Sequence, residues 1–301
     1  MDHMLVCEID VELARLDDAA ARLVWWFQES VGQLAAAARQ EIESGPKLPP
    51  EAIRRPMPCG PPGVMWGFVS VGHDGKPAKP RVYTAKNMQW LLGELAKVPT
   101  SAKLQFSPLD TTGYPDDPTI SVEFRREDAC PDWGRLILHT MQSQLADPAY
   151  QARLLAVLRD LADDIGPSFG YIDHTLAGIL QTGHEANLMP GPLPRTFLPE
   201  SRTYLRGYSW LTICPQDIAD RLGGPEALRA TGAFANVVPL RNGGLWLLAT
   251  PDFADYDYPA AERVWRALAP ALRPGPVAPP EPDDPTLQHV VRQDAATLGA
   301  T

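Results

Sequence analysis

The sequence predicts an α+β fold: a mainly antiparallel sheet with helices packed on one face, and a β-α-β-β-α unit in the C-terminal half. Apolar runs of strand length alternate with stretches whose apolar residues recur at helical spacing. Arg241-Asn242-Gly243-Gly244 separates two apolar runs, and Asn-Gly tolerates the positive φ that a tight antiparallel hairpin requires. The 32 prolines in 301 residues argue against long uninterrupted helices and against a coiled coil.

Met4–Ile9 reads as a strand. Residues 17–43 read as a helix, opened by Asp17 and Asp18, carrying Leu23, Phe27, Val31, Leu34, Ala38 and Ile42 on one stripe, and stopped by Gly45-Pro46. Trp25 and Trp26 cannot both point inward, because successive helix residues differ by about 100° in direction. Residues 46–63 hold seven prolines in eighteen positions and read as an arm without regular structure. Val64–Val71 is a strand, His73-Asp74-Gly75 a turn, and Thr84 caps a helix that ends near Lys97. Short strands follow at Ala102–Phe106, Thr119–Phe124 and Arg135–Met141. Asp147-Pro148 opens a helix that Gly166 closes. Phe169–Ile172 is a strand, and 186–203 is a proline-rich loop. Tyr208–Ile213 is a strand, Pro215 opens a short helix ending at Gly223-Gly224, and Pro225–Ala230 adds another turn. The hairpin Val237–Leu240 with Leu245–Thr250 leads to a helix over Pro259–Leu272. Beyond Pro274 lies a proline-rich tail, with a short amphipathic helix near Leu287–Val291. The domain boundaries implied are 1–134, with its arm, then 135–273, then the linker and tail 274–301.

Net charge is −10, and it is not evenly spread. Residues 1–103 balance, with twelve acids and twelve bases, so the remainder carries the whole excess; all six lysines lie between Lys47 and Lys103. A surface of this sign repels phosphates and anionic lipid, so nucleic-acid and membrane partners are disfavoured and a basic protein partner, or plain solubility, is favoured. The four cysteines form no CxxC pair, and no apolar run reaches the roughly 20 residues of a membrane span. The first residues show no basic start followed by an apolar stretch, so no secretion signal is expected. These features predict a cytoplasmic protein with neither cofactor nor metal motif.

No catalytic set is predicted. Gly207-Tyr208-Ser209-Trp210-Leu211 lacks the second glycine of a nucleophile elbow. Gly223-Gly224-Pro225 lacks the cation of a phosphate loop and fits a helix stop followed by a helix start. Asp173-His174 and His184-Glu185 are tight acid–imidazole pairs, able to supply a general base or metal ligands, with His139 as a third imidazole. Polar loop residues around Gly183, their histidines satisfied by hydrogen bonds, are the plainer reading. Asp252-Phe253-Ala254-Asp255-Tyr256-Asp257-Tyr258 sets three carboxylates among three aromatics between a strand and a helix. Aromatics offer contact area and carboxylates steer a basic partner, so Asp252, Phe253, Asp255, Tyr256, Asp257 and Tyr258 form the candidate partner surface. Aspartates also favour helix starts, which is the plainer reading.

Tyr204-Leu205-Arg206-Gly207-Tyr208-Ser209-Trp210-Leu211-Thr212, then Arg221-Leu222-Gly223-Gly224 and Gly243-Gly244-Leu245-Trp246-Leu247, together resemble the bacterial type VI immunity family, a family otherwise described as a domain of unknown function. Phe169-Gly170-Tyr171-Ile172 is similar in character, so the resemblance runs mainly over 169–250. It carries a strand with an aromatic GxxW core followed by a helix ending in leucine-glycine-glycine, and no catalytic residues. It implies a cytoplasmic binding protein that neutralises a secreted toxin by occlusion. Two other readings stand beside it: a metal-dependent or general-base hydrolase using Asp173, His174, His184 and Glu185, and a scaffold component of a secretion or phage-like apparatus.

Overall fold

The computed structural model describes residues 3–47, 58–74, 76–174, 181–191, 193–278 and 289–300. Ten strands are present among them: β1 Met4–Glu12, β2 Met65–His73, β3 Lys76–Val82, β4 Ser101–Pro108, β5 Ile120–Glu127, β6 Cys130–Met141, β7 Phe169–His174, β8 Leu211–Cys214, β9 Asn236–Pro239 and β10 Leu245–Leu248. The helices are α1 Ala19–Glu29, α2 Ala36–Ser44, α3 Ala85–Leu95, α4 Pro148–Ile165, α5 Gly183–Asn187, α6 Pro194–Phe197, α7 Gln216–Arg221, α8 Gly224–Ala230 and α9 Tyr258–Leu268. The strands pair antiparallel, so the fold is α+β. Among the described residues, no helix is long and apolar enough to cross a membrane.

Two compact units form, and they interleave along the chain. The first holds residues 1–4, 13–127 and 134–158; the second holds 5–12, 128–133 and 159–301. A boundary drawn along the sequence at 134/135 puts β1 with the N-terminal portion, whereas β1 pairs with β7 in the second unit, Leu5 opposite His174 and Asp10 opposite Phe169. Residues 128–133 join the second unit because Cys130 and Trp133 pack with Phe197 and Leu198.

In the first unit the strand order is β3-β2-β4-β5-β6. The helix expected over 17–43 is two helices. Asp18 caps α1, accepting from the N–H of Ala21 at 3.2 Å, and a π turn over Ser30–Leu34 then leads to Ala35, where φ −117° and ψ 13° leave the helix. The wider turn keeps Val31 and Leu34 buried. Trp26 is buried, its indole N–H donating to the Glu123 carbonyl at 3.2 Å, while Trp25 sits half-buried. Thr84 caps α3 as expected, accepting from Asn87 at 3.0 Å. Strand β3 went unpredicted. Its sequence, KPAKPRV, has no apolar alternation, and it is extended because β2 supplies a partner. The middle of the arm, 48–57, lies outside the described residues, as does Gly75 of the expected turn.

In the second unit the order is β1-β7-β8-β10-β9. Strand β8 starts later than expected, at Leu211. Ser209 hydrogen-bonds forward, its hydroxyl to the Leu211 carbonyl and its N–H to Thr212 Oγ1, so the chain at 208–210 turns instead of extending. The hairpin forms as expected, with Leu245 opposite Pro239 and Gly243 at φ 83°. Asn242 also reaches the Ala162 carbonyl at 2.8 Å, tying the turn to the end of α4. The predicted loop over 186–203 contains α5 in part and α6. Of the tail helix expected near Leu287–Val291, residues 287 and 288 lie outside the described residues and 289–291 are not helical.

The centre of this unit is an ion cluster sealed from water. Arg206, on the loop before β8, donates to both oxygens of Glu185 at 3.0 Å and to Glu8 Oε1 at 2.8 Å, and also bonds Asp10. All four side chains are buried. Rings cover the guanidinium, Phe197 at 4.0 Å and Phe169 at 5.4 Å. Burial works against the charge, but Asp10, Glu185 and Glu8 outweigh it and hold Arg206 well above its usual pKa. Removing the cation would strand three buried carboxylates. Arg206→Met is therefore expected to lower stability by about 3–5 kcal/mol in urea unfolding at neutral pH. Arg206→Lys should also destabilise, because an ammonium cannot grip Glu185 through two nitrogens.

Candidate functional site

The last two residues of β7 begin a polar cluster. Asp173 Oδ1 accepts the N–H of His174 at 2.8 Å and lies 3.9 Å from His174 Nδ1. The His174 ring stacks on His289, with centroids 5.5 Å apart at 24°, and meets Phe253 edge-on at 5.7 Å. His289 in turn packs against Tyr256 at 4.8 Å. One donor atom from each of Asp173, His174 and His289 lies within 4.8 Å of the other two, which among the described residues is the set able to hold a metal ion. Beside it, the Tyr208 hydroxyl accepts the N–H of Val291 and so holds the C-terminal segment.

Burial sets the electrostatics here. It raises Asp173 to about 7, against the opposing hydrogen bond from the His174 N–H. It lowers His289, so that imidazole is neutral at neutral pH. It raises the phenols of Tyr208 and Tyr256, and the Asp173 charge pushes them in the same direction. A carboxyl whose pKa burial raises, set beside imidazoles, can exchange a proton or ligate a cation.

The four residues expected as an alternative polar site do not converge. Asp173 and His174 stand together, but Glu185 is bound to Arg206 and also closes a capping box on α5 with Thr182. His184 Nε2 meets the Arg273 carbonyl at 3.1 Å, and its ring lies 6.1 Å from that of Tyr208. Burial lowers His184 to about 4. His139 belongs to the first unit, 3.8 Å from Glu123. In place of His184 the structure brings in His289, more than a hundred residues away, which no local pattern could connect to β7. Arg206 was likewise missed, although Glu8-x-Asp10 in an apolar strand puts two acids on one face and signals a buried cation.

The candidate partner loop divides by depth. Phe253 and Tyr256 are buried, Phe253 edge-on to Trp210 at 5.3 Å, so these two rings build the core and cannot anchor a partner. Asp252, Asp255 and Asp257 are exposed, and Tyr258 keeps 44% of its surface. Asp257 also caps α9, accepting from Ala260 at 2.9 Å. The first unit carries a different surface: a cavity of about 570 Å³ lined by Lys76, Lys79, Arg81, Trp90 and Lys97, with the Arg81 guanidinium 3.7 Å from the Trp90 ring.

No family model matches the chain, and no curated protein sequence does. Among solved structures it is similar to the Pseudomonas aeruginosa T6SS protein PA0821, at 14% identity over 98% of this chain and 81% of that one, with a TM-score of 0.55. At that identity the likeness shows a shared fold.

His184 gives the site region a pH signature. Its folded pKa lies below the 6.5 of an unconstrained imidazole, so between pH 6.5 and 4 the unfolded chain binds a proton that the folded chain refuses. Stability should fall as pH drops through that window. His184→Gln keeps an N–H for the Arg273 carbonyl and removes the titration. Relative to it, wild type should lose about 2–3 kcal/mol more between pH 7.5 and 4.5 in urea unfolding.

Proposed function

We propose that this chain serves a type VI secretion system as a non-enzymatic binding protein, of the immunity kind that occludes a toxin in the cytoplasm. The observation that carries the reading is the likeness to a T6SS protein along 98% of the chain. The resemblance of the Tyr204–Leu247 stretches to the immunity family points the same way. The physical mechanism is occlusion by a rigid surface. Asp252, Asp255 and Asp257 stand exposed beside Tyr258, a carboxylate cluster with one aromatic that suits a basic patch on a toxin. The splitting of Asp173 and His174 from His184 and Glu185 weighs against the hydrolase built on those four.

The test is co-purification of the full chain with a type VI effector encoded beside its gene. A complex that protects against the effector supports the reading, and failure to bind any such effector defeats it. Within the complex, Asp252→Asn/Asp255→Asn/Asp257→Asn should lower the association rate several-fold at low salt, and the difference should vanish near 0.5 M salt. Asparagine is the right replacement because it removes charge while still capping α9.

A further inference from the structure

We propose that Asp173, His174 and His289 form a binding site for a divalent transition-metal ion of the zinc class, which fastens the C-terminal segment to the end of β7. One carboxylate oxygen and two imidazole nitrogens lie within 4.8 Å of one another. Around a tetrahedral zinc ion, with metal–ligand bonds of about 2.0–2.2 Å, neighbouring donors stand about 3.4 Å apart. Closing the set therefore takes at most about 1.4 Å, within reach of side-chain rotation on three short side chains. Two imidazoles and one carboxylate suit zinc, cobalt or nickel; calcium and magnesium want shells of oxygen.

The surroundings supply what such a site needs. Nδ1 of His289 and the hydroxyl of Tyr256 are buried with no hydrogen-bond partner among the described residues. An unsatisfied buried polar atom costs about 1–3 kcal/mol, and an ion ligated through His289 Nδ1 would relieve the first of these. Phe253 and Tyr256 wall the two imidazoles with rings, which keeps the donors dry and oriented. Asp173 retains 14% side-chain exposure, so the cluster reaches the surface at that carboxylate. Three protein ligands leave a fourth position for water or a further donor.

The site has a structural consequence. His289 comes after the proline-rich stretch that follows α9, and the described chain resumes there against Tyr208 and His174. A shared ion would bond His289 of the C-terminal segment to the end of β7. This proposal is independent of partner binding.

The experiment uses the full chain without a histidine tag, stripped with a chelator and titrated with Zn²⁺ by calorimetry and with Co²⁺ by visible absorption. One ion per chain, cobalt bands of tetrahedral intensity, and slower proteolysis of the C-terminal segment with Zn²⁺ present are expected. His289→Ala and Asp173→Asn should each weaken Zn²⁺ binding at least tenfold, while His184→Ala, outside the set, leaves it unchanged. Should His289→Ala lose its fold, Asp173→Asn and the wild-type cobalt spectrum decide the matter. Absence of saturable binding, cobalt bands without nitrogen ligation, or affinity that survives Asp173→Asn would overturn the proposal.

Discussion

A guanidinium and three carboxylates sealed together inside a protein constitute a severe constraint. Each charge has lost its water, and the arrangement holds only while every partner keeps its place. Arg206 draws Glu8 and Asp10 from β1 and Glu185 from α5 into one knot, joining segments separated by 198, 196 and 21 residues. It also disciplines the sheet. Glu8 and Asp10 share a face because side chains alternate along a strand. A one-residue slip of β1 along β7 would aim Cys7 and Ile9 at the cation and turn both acids away. Such a slip would leave the buried cation without its two β1 carboxylates, which penalises the neighbouring registers.

Local structure could be read from the chain wherever a local rule was in force. Thr84 before α3, Asp147-Pro148 before α4, and Asn-Gly between β9 and β10 each act through residues within a few positions, and each feature forms. What escaped reading depends on partners far away. Strand β3 is extended because β2 lies beside it. Residues 5–12 belong to the second unit because β7 receives them, and nothing within that octet says so. Helix periodicity continued past Leu34, so the change of direction at Ala35 left no trace in the apolar pattern.

The candidate sites obey the same division. Asp173 and His174 are adjacent and conspicuous, whereas His289 reaches them through tertiary folding alone. His184 and Glu185 look like a pair on paper, yet the capping box gives Glu185 to the helix start and then to Arg206, leaving His184 with a backbone carbonyl. In the loop Asp252–Tyr258 composition suggested that all the aromatics were available. Alternation of depth decided otherwise, with Phe253 and Tyr256 turned inward and the aspartates outward.

Strand β3 ends the order of its sheet, and it carries Pro77 and Pro80 with Lys76, Lys79 and Arg81. Proline has no N–H to offer, and rows of like charge repel a second copy laid alongside. That rim of the first unit is thereby a poor template for the addition of a further strand.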